Sequence, residues 1–138
     1  MSTLSQKRAA KANEFVESIA NLPDRDNKEL KDKYGSLARS FPSMIQANGL
    51  GQSLAFLLAK DGGNNGHHRK LFDHVSMWLC TNIQPETKKL NNDFLDWVIN
   101  QETSVYQQAT QEAIQFSIWL KRFAEAKNLG ENEDNPNG

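Results

Sequence analysis

Residues 34–58, YGSLARSFPSMIQANGLGQSLAFLL, constrain the fold more than any other part of the 138-residue chain. Tyr34, Leu37, Ala38 and Phe41 recur at steps of three and four, so they form one stripe on a helix and would be scattered over both faces of a strand. Pro42 lacks an amide hydrogen and restricts Phe41, so the helix must kink there or stop and restart with proline in its first turn. Met44 and Ile45 continue the apolar face. Asn48 and Gly49 then offer the left-handed residue favoured at helix ends, and Leu50, Leu54, Leu57 and Leu58 open a second helix over 50–60. Two helices meeting at a tight corner are expected, with Pro42, Asn48, Gly49 and Gly51 as its structural signature, because glycine serves turns and close helix approach.

The remaining periodicity is also helical. A first helix over 5–21 carries Ala9, Ala12, Val16, Ile19 and Ala20 inward with Phe15 beside them. Pro23-Asp24 breaks it, and Asp26 or Asn27 can cap the next helix, whose first apolar contact is Leu30. The loop over 61–66 is too rich in glycine and asparagine for regular structure. A helix over 68–82 presents Leu71, Val75, Trp78 and Leu79, with Phe72 adjacent, and ends before Pro85. Lys88 and Lys89 lie in the following connection. Asn92 or Asp93 can cap a short helix through Phe94, Leu95, Val98 and Ile99. The last helix, over 103–127, has two apolar faces: Val105, Ala109, Ala113, Phe116, Leu120 and Phe123 on one, Ile114 and Ile118 on the other. It is therefore central to its own bundle or uses one face as an interface. The fold class that follows is all-α, a single compact bundle of about six helices over 1–128, with a disordered acidic tail over 129–138.

Composition limits function. The longest apolar run, 54–59, is far shorter than the roughly 18 residues of a membrane span, and the N-terminal charges Lys7, Arg8 and Lys11 are not followed by a signal-type apolar run. A cytoplasmic protein without a membrane role is expected. Cys80, the single cysteine, lies in the apolar sequence MWLC and reads as a buried thiol in a reducing compartment. Mean hydropathy is -0.69 and the net charge is -1, but the charge is uneven. Residues 1–60 hold nine Lys/Arg against six Asp/Glu, and residues 129–138 hold three acids and no base. The acidic end masks a mildly basic N-terminal half, too weak a bias for autonomous nucleic-acid binding.

No catalytic constellation stands out. His67, His68, His74, Asp73 and Cys80 lack the spacing of a recognised metal motif, no base neighbours Cys80, and no phosphate loop or nucleophile elbow occurs. No cofactor, metal or catalytic residue is expected, and the histidines read as surface or capping groups. The aromatic residues Phe72, Trp78, Trp97, Phe116 and Trp119 fall in or beside apolar stripes, which assigns them to the core rather than to base stacking, although Trp119 deviates most from its stripe. Basic side chains are the better candidates for phosphate contact: Lys7, Arg8 and Lys11 first, then Arg39, Lys60, Arg69, Lys70, Lys121 and Arg122. Two rival classes remain open: a DNA-binding regulator using a helix-turn-helix whose turn is Asn48-Gly49, and an enzyme using the histidines. The first requires polar residues on the helix after the turn, where LGQSLAFLLAK is apolar.

The string LARSFPSMIQANGLGQSLAFLLAK over 37–60 resembles the central signature of the small all-helical subunit of type III-B CRISPR effector complexes, the RNA-guided Cmr assemblies of prokaryotes. QKRAAKANEFV over 6–16 and TQEAIQFSIWLKRFAEA over 110–126 agree with it in order and position, so the resemblance spans about residues 5–127. It implies a non-catalytic scaffold in antiviral defence, stacked in more than one copy beside guide RNA and target RNA. The implied partners are other Cmr subunits and further copies of the chain. Arg39 gains weight on this reading, because the resembled family also has a basic residue at that place in the signature. Phosphate contacts would then supply affinity while base pairing reads sequence.

Overall fold

Thr3 starts the first helix with a reciprocal capping box: its hydroxyl accepts from the Gln6 amide at 3.1 Å, and Gln6 Oε1 accepts from the Thr3 amide at 2.8 Å. Two orphan amides are satisfied at once. A computed structural model describes residues 2–61, 63–83 and 91–130. Among these the chain forms α1 (Leu4–Ala20), α2 (Lys28–Asn48), α3 (Leu50–Asp61), α4 (His67–Asn82), α5 (Asn91–Ile99) and α6 (Thr103–Ala126), and no strand. The fold is the all-α, six-helix bundle that the spacing predicts. Pro85, Lys88, Lys89 and residues 131–138, expected as a helix stop, a basic connection and most of an acidic tail, lie outside the described residues.

Helix α2 runs through Pro42 without stopping. The proline removes one backbone hydrogen bond, yet its ring is buried and continuous with Phe41 and Ile45, each no more than 1% exposed. Packing on both sides of the break holds the helix in one piece. Asn27 is the residue ahead of α2, but its side chain donates to the carbonyls of Pro23 and Arg25 rather than accepting from a helix amide. The turn is pinned instead by Lys31, whose ammonium meets Asp24 at 2.8 Å. At the other end Gly49 alone makes the corner, with φ 89° and its amide donating to the Ile45 carbonyl at 2.8 Å. The Gly51 amide, an orphan in the first turn of α3, donates to the Tyr106 hydroxyl at 2.8 Å, and a side chain on Gly51 would crowd that hydroxyl and Ile99. The corner is thus clamped by α5 and α6.

Helix α6 packs against every other helix and is the centre of the bundle. Both apolar faces contribute to the core: Ala109, Ala113, Phe116 and Leu120 are fully buried and Ile114 is nearly so, while Val105, Phe123 and Ile118 are half-buried. Phe116 stacks on Trp78 of α4 at 4.8 Å and meets Phe15 of α1 edge-on at 6.1 Å. Cys80 is buried, as its apolar setting predicts. Helix α5 begins at Asn91, which places Asn92 and Asp93 inside the first turn rather than ahead of it.

The described chain stays packed beyond residue 128. Lys127, Asn128 and Leu129 close α6 with a Schellman motif: the Asn128 amide donates to Glu125, the Leu129 amide reaches back to Ala124, and Asn128 takes φ 60°. Such motifs turn the next apolar residue back onto the helix. Leu129 is accordingly buried, its carbonyl accepts from Arg39 Nε at 3.1 Å, and Gly130 follows at φ 75°. Two residues assigned to the tail by composition therefore belong to the bundle. Gly35 makes this crossing possible, since any side chain on it would overlap the Leu129 backbone. Gly35→Ala is expected to lower unfolding stability by about 1–3 kcal/mol, the usual cost of overpacking, whereas Gly66→Ala, which points into open space, should change it by less than about 1 kcal/mol. Urea unfolding of both variants checks the contrast.

Candidate nucleic-acid interface

Helical geometry separates the three basic residues of the N-terminus. Lys7 and Lys11 are four apart and share a face. Lys7 is exposed; Lys11 pairs with Glu14 at 2.9 Å and lies over the Phe15 ring at 5.2 Å. Arg8 turns inward. Its Nε and Nη2 donate to Glu112 at 2.6 and 2.8 Å, and the same carboxylate accepts from Trp78 Nε1 at 2.8 Å. Burial opposes ionisation of Glu112, but the hydrogen bonds from Arg8 and Trp78 and the charge of Arg8 outweigh it and hold the carboxyl below the usual carboxylate range. The hydrogen bond to Glu112 likewise raises the Arg8 pKa. Arg8 therefore ties α1 to α6 and α4, and its charge is directed away from solvent.

The other candidates do not converge on one patch. Arg39 is committed to the Leu129 carbonyl. Arg69 pairs with Asp73 at 3.0 Å and covers Phe72. Lys70 lines a groove of about 470 Å³ between α1 and α4, with Glu14, Asp73 and the exposed Met77. Lys121 is half-buried on α6, and Arg122 pairs with Glu125 at 3.1 Å. Lys60 lies over Phe56 at 5.9 Å.

Lys60 leads to a grouping that sequence reasoning missed. His68 meets Phe56 edge-on at 5.8 Å, and the His67 and His68 rings are 4.1 Å apart. His67 lines two neighbouring depressions, one of about 220 Å³ with Lys60, His68 and Gly66, the other of about 260 Å³ with Lys33, Ser36 and Ser40. Helices α2, α3 and α4 thus bring Lys33, Lys60, His67 and His68 to one corner. The His67 pKa is pushed down to about 4 by burial, then by His68 and Lys33, against a smaller opposing effect of Glu29. His68 is lowered by burial and by Lys60, with Asp61 opposing. Asp61 is buried; its oxygens accept from the Gly63 and Gly66 amides at 3.2 and 3.3 Å and so hold the loop ahead of α4. Lys33 carries only one hint in the sequence, its place seven residues before Ser40 on the solvent side of the Tyr34 stripe.

His74 has a structural environment. Its Nδ1 lies 2.7 Å from the Tyr34 hydroxyl and its ring stacks on Phe15 at 4.3 Å. Burial, helped by the charge of Lys70, lowers its pKa to about 3, and burial raises that of Tyr34. Among the described residues no group of three or more His, Cys, Asp or Glu is arranged to hold a metal ion, and no helix is long and apolar enough to cross a membrane. Helix α3, the reading helix of a helix-turn-helix at this corner, buries Leu50, Ser53, Leu54 and Leu57 to within 1%. Its exposed positions, Gln52, Ala55, Ala59 and Lys60, alternate polar side chains with alanine and supply few of the base-reading groups a recognition helix needs.

A family model described as "CRISPR-associated protein (Cas_Cmr5)" matches residues 4–127. The fold is also similar to an X-ray crystal structure of a CRISPR-associated Cmr5 family protein from Thermus thermophilus. The TM-score is 0.68 at 27% sequence identity, covering 91% of this chain and 97% of the other.

The histidine environments fix the sign of an acid effect. A base whose folded pKa is depressed loses folded-state stability as pH falls from its unfolded value, 6.5, toward its folded value. For His74 that window extends from 6.5 to about 3, with a slope of at most about 1.4 kcal/mol per pH unit. His74→Gln, which keeps an acceptor for Tyr34, should flatten the decline by up to that slope. Urea midpoints measured across the window provide the check, and an unchanged slope would remove His74 as the cause.

Proposed function

The chain belongs to the CRISPR-associated Cmr5 family, the small subunit of type III-B Cmr complexes, and on that premise we propose that it works as a non-catalytic scaffold along the guide and target RNA channel. Copies stack by helix-face contacts with one another and with other Cmr subunits in the cytoplasm. Surface cations hold the target strand by its phosphates, and guide pairing reads the sequence. The observation that carries this reading is family membership extending from α1 through α6, on a bundle whose charged interior groups are engaged with one another.

The outward face of α1 is the first RNA contact on this reading. Lys7 and Lys11 stand side by side there, and the pairing of Lys11 with Glu14 is exposed, of a kind worth about 0.2–1 kcal/mol and readily exchanged for a phosphate. Arg8 contributes by holding α1 in place. A Lys7→Glu/Lys11→Glu chain should enter a reconstituted Cmr complex and weaken its retention of target RNA. The slope of log affinity against log salt should fall by roughly 1.4, about 0.7 for each phosphate no longer neutralised. Equal retention at every salt concentration would discard this face as an RNA contact, and exclusion of the unmodified chain from the complex would overturn the subunit reading.

A further inference from the structure

We propose that Lys33, Lys60, His67 and His68 form a second phosphate-binding site, distinct from the α1 face, that takes consecutive phosphodiesters of a single RNA strand. The site rests on the subunit reading above but uses a different surface and four residues from three helices. Two ammonium groups and two imidazoles line two depressions divided by His67. Both nearby carboxylates are accounted for. Asp61 is held by the loop amides of Gly63 and Gly66. Glu29 meets Lys33 at 3.4 Å with its own side chain 82% exposed, a contact that an incoming anion can displace.

The form of the corner favours a strand over a small anion. Two openings side by side, bridged by one imidazole, match a ligand that repeats its charge along its length better than a single small anion. The rings of Phe56 and His68 lie beside Lys60 and hold its end of the path in place. An acidic peptide would find the same charges, but among the described residues Leu37 is the one apolar side chain lining either depression, which leaves it little apolar anchorage.

Binding here has a pH signature. His67 faces Lys33 and Glu29 on α2 and His68 on α4; His68 faces Lys60 and Asp61 on α3 and Lys33 on α2. These surroundings keep both imidazoles uncharged near neutrality. A phosphodiester between them restores the balance and draws a proton onto the pair, so affinity rises as pH falls.

The test compares Cmr complexes reconstituted with the unmodified chain, with Lys33→Gln/Lys60→Gln and with His67→Gln/His68→Gln. Target-RNA affinity is followed over salt and between about pH 8 and about pH 6. The lysine variant should shallow the salt slope by roughly 1.4, and the histidine variant should lose the strengthening at the acidic end. Variants that enter the complex with unchanged slope and pH profile would overturn the site while leaving the subunit reading intact. A variant that keeps its helical circular dichroism but no longer enters would make the corner a protein contact and overturn the site as well. Inorganic phosphate displacing RNA at an equal phosphate concentration would overturn the strand assignment in favour of a small-anion site. Exclusion of the unmodified chain would overturn the subunit reading on which the site depends.

Discussion

The Glu112 carboxylate is the constraint on which the bundle depends. It lies on the central helix, is almost wholly buried, and takes three short hydrogen bonds: two from Arg8 on α1 and one from the indole of Trp78 on α4. A carboxylate so placed is costly unless its lone pairs are used and a cation is near. The fork of Arg8 meets both conditions, since guanidinium and carboxylate match two bonds at a time. Around this node the stacked and edge-on contacts of Trp78, Phe116 and Phe15 supply the apolar enclosure. Helix α1 packs chiefly on α6, through its buried face of Ala12, Phe15, Val16 and Ile19, and the node adds a polar tie at its N-terminal half, beside Lys7 and Lys11.

That arrangement divides the cations by duty. Arg8, Lys31 and Arg39 are spent within the fold, on Glu112, Asp24 and the Leu129 carbonyl. Lys7, Lys33 and Lys60 stay toward the surface. A chain with net charge -1 can still present positive corners, because its bases and acids are sorted by helix face. Such corners add affinity inside an assembly without making the chain a strong RNA binder alone, which suits a subunit whose complex reads sequence by pairing.

The parts of the fold legible in the sequence are those governed by local periodicity. The stripe through Tyr34, Leu37, Ala38 and Phe41, the Gly49 corner, and the faces of α4 and α6 follow from steps of three and four, and the structure buries most of these residues, leaving Leu37, Val105, Ile118 and Phe123 half-buried. The end of α6 is not legible, because Asn-Leu-Gly reads as a polar tail until Gly35, some ninety residues earlier, leaves room for Leu129 to fold back. Arg8 misleads for a related reason: its charge is visible in the sequence, but the carboxylate that claims it is 104 residues away. The corner formed by Lys33, Lys60, His67 and His68 depends on three helices meeting, and periodicity on any one of them cannot show it.

A double-mutant cycle between Arg8 and Glu112, read by urea unfolding, tests the central claim most directly. With Arg8→Met, Glu112→Leu and the pair combined, the effects should be strongly non-additive, with a coupling of about 1.5–3 kcal/mol, the range for hydrogen bonds to charged groups. Either single change should cost more than the double change, because it leaves a buried partner alone. Additive effects would show that Arg8 is free of Glu112 in solution, and the division between cations that hold the fold and cations that face the RNA would not stand.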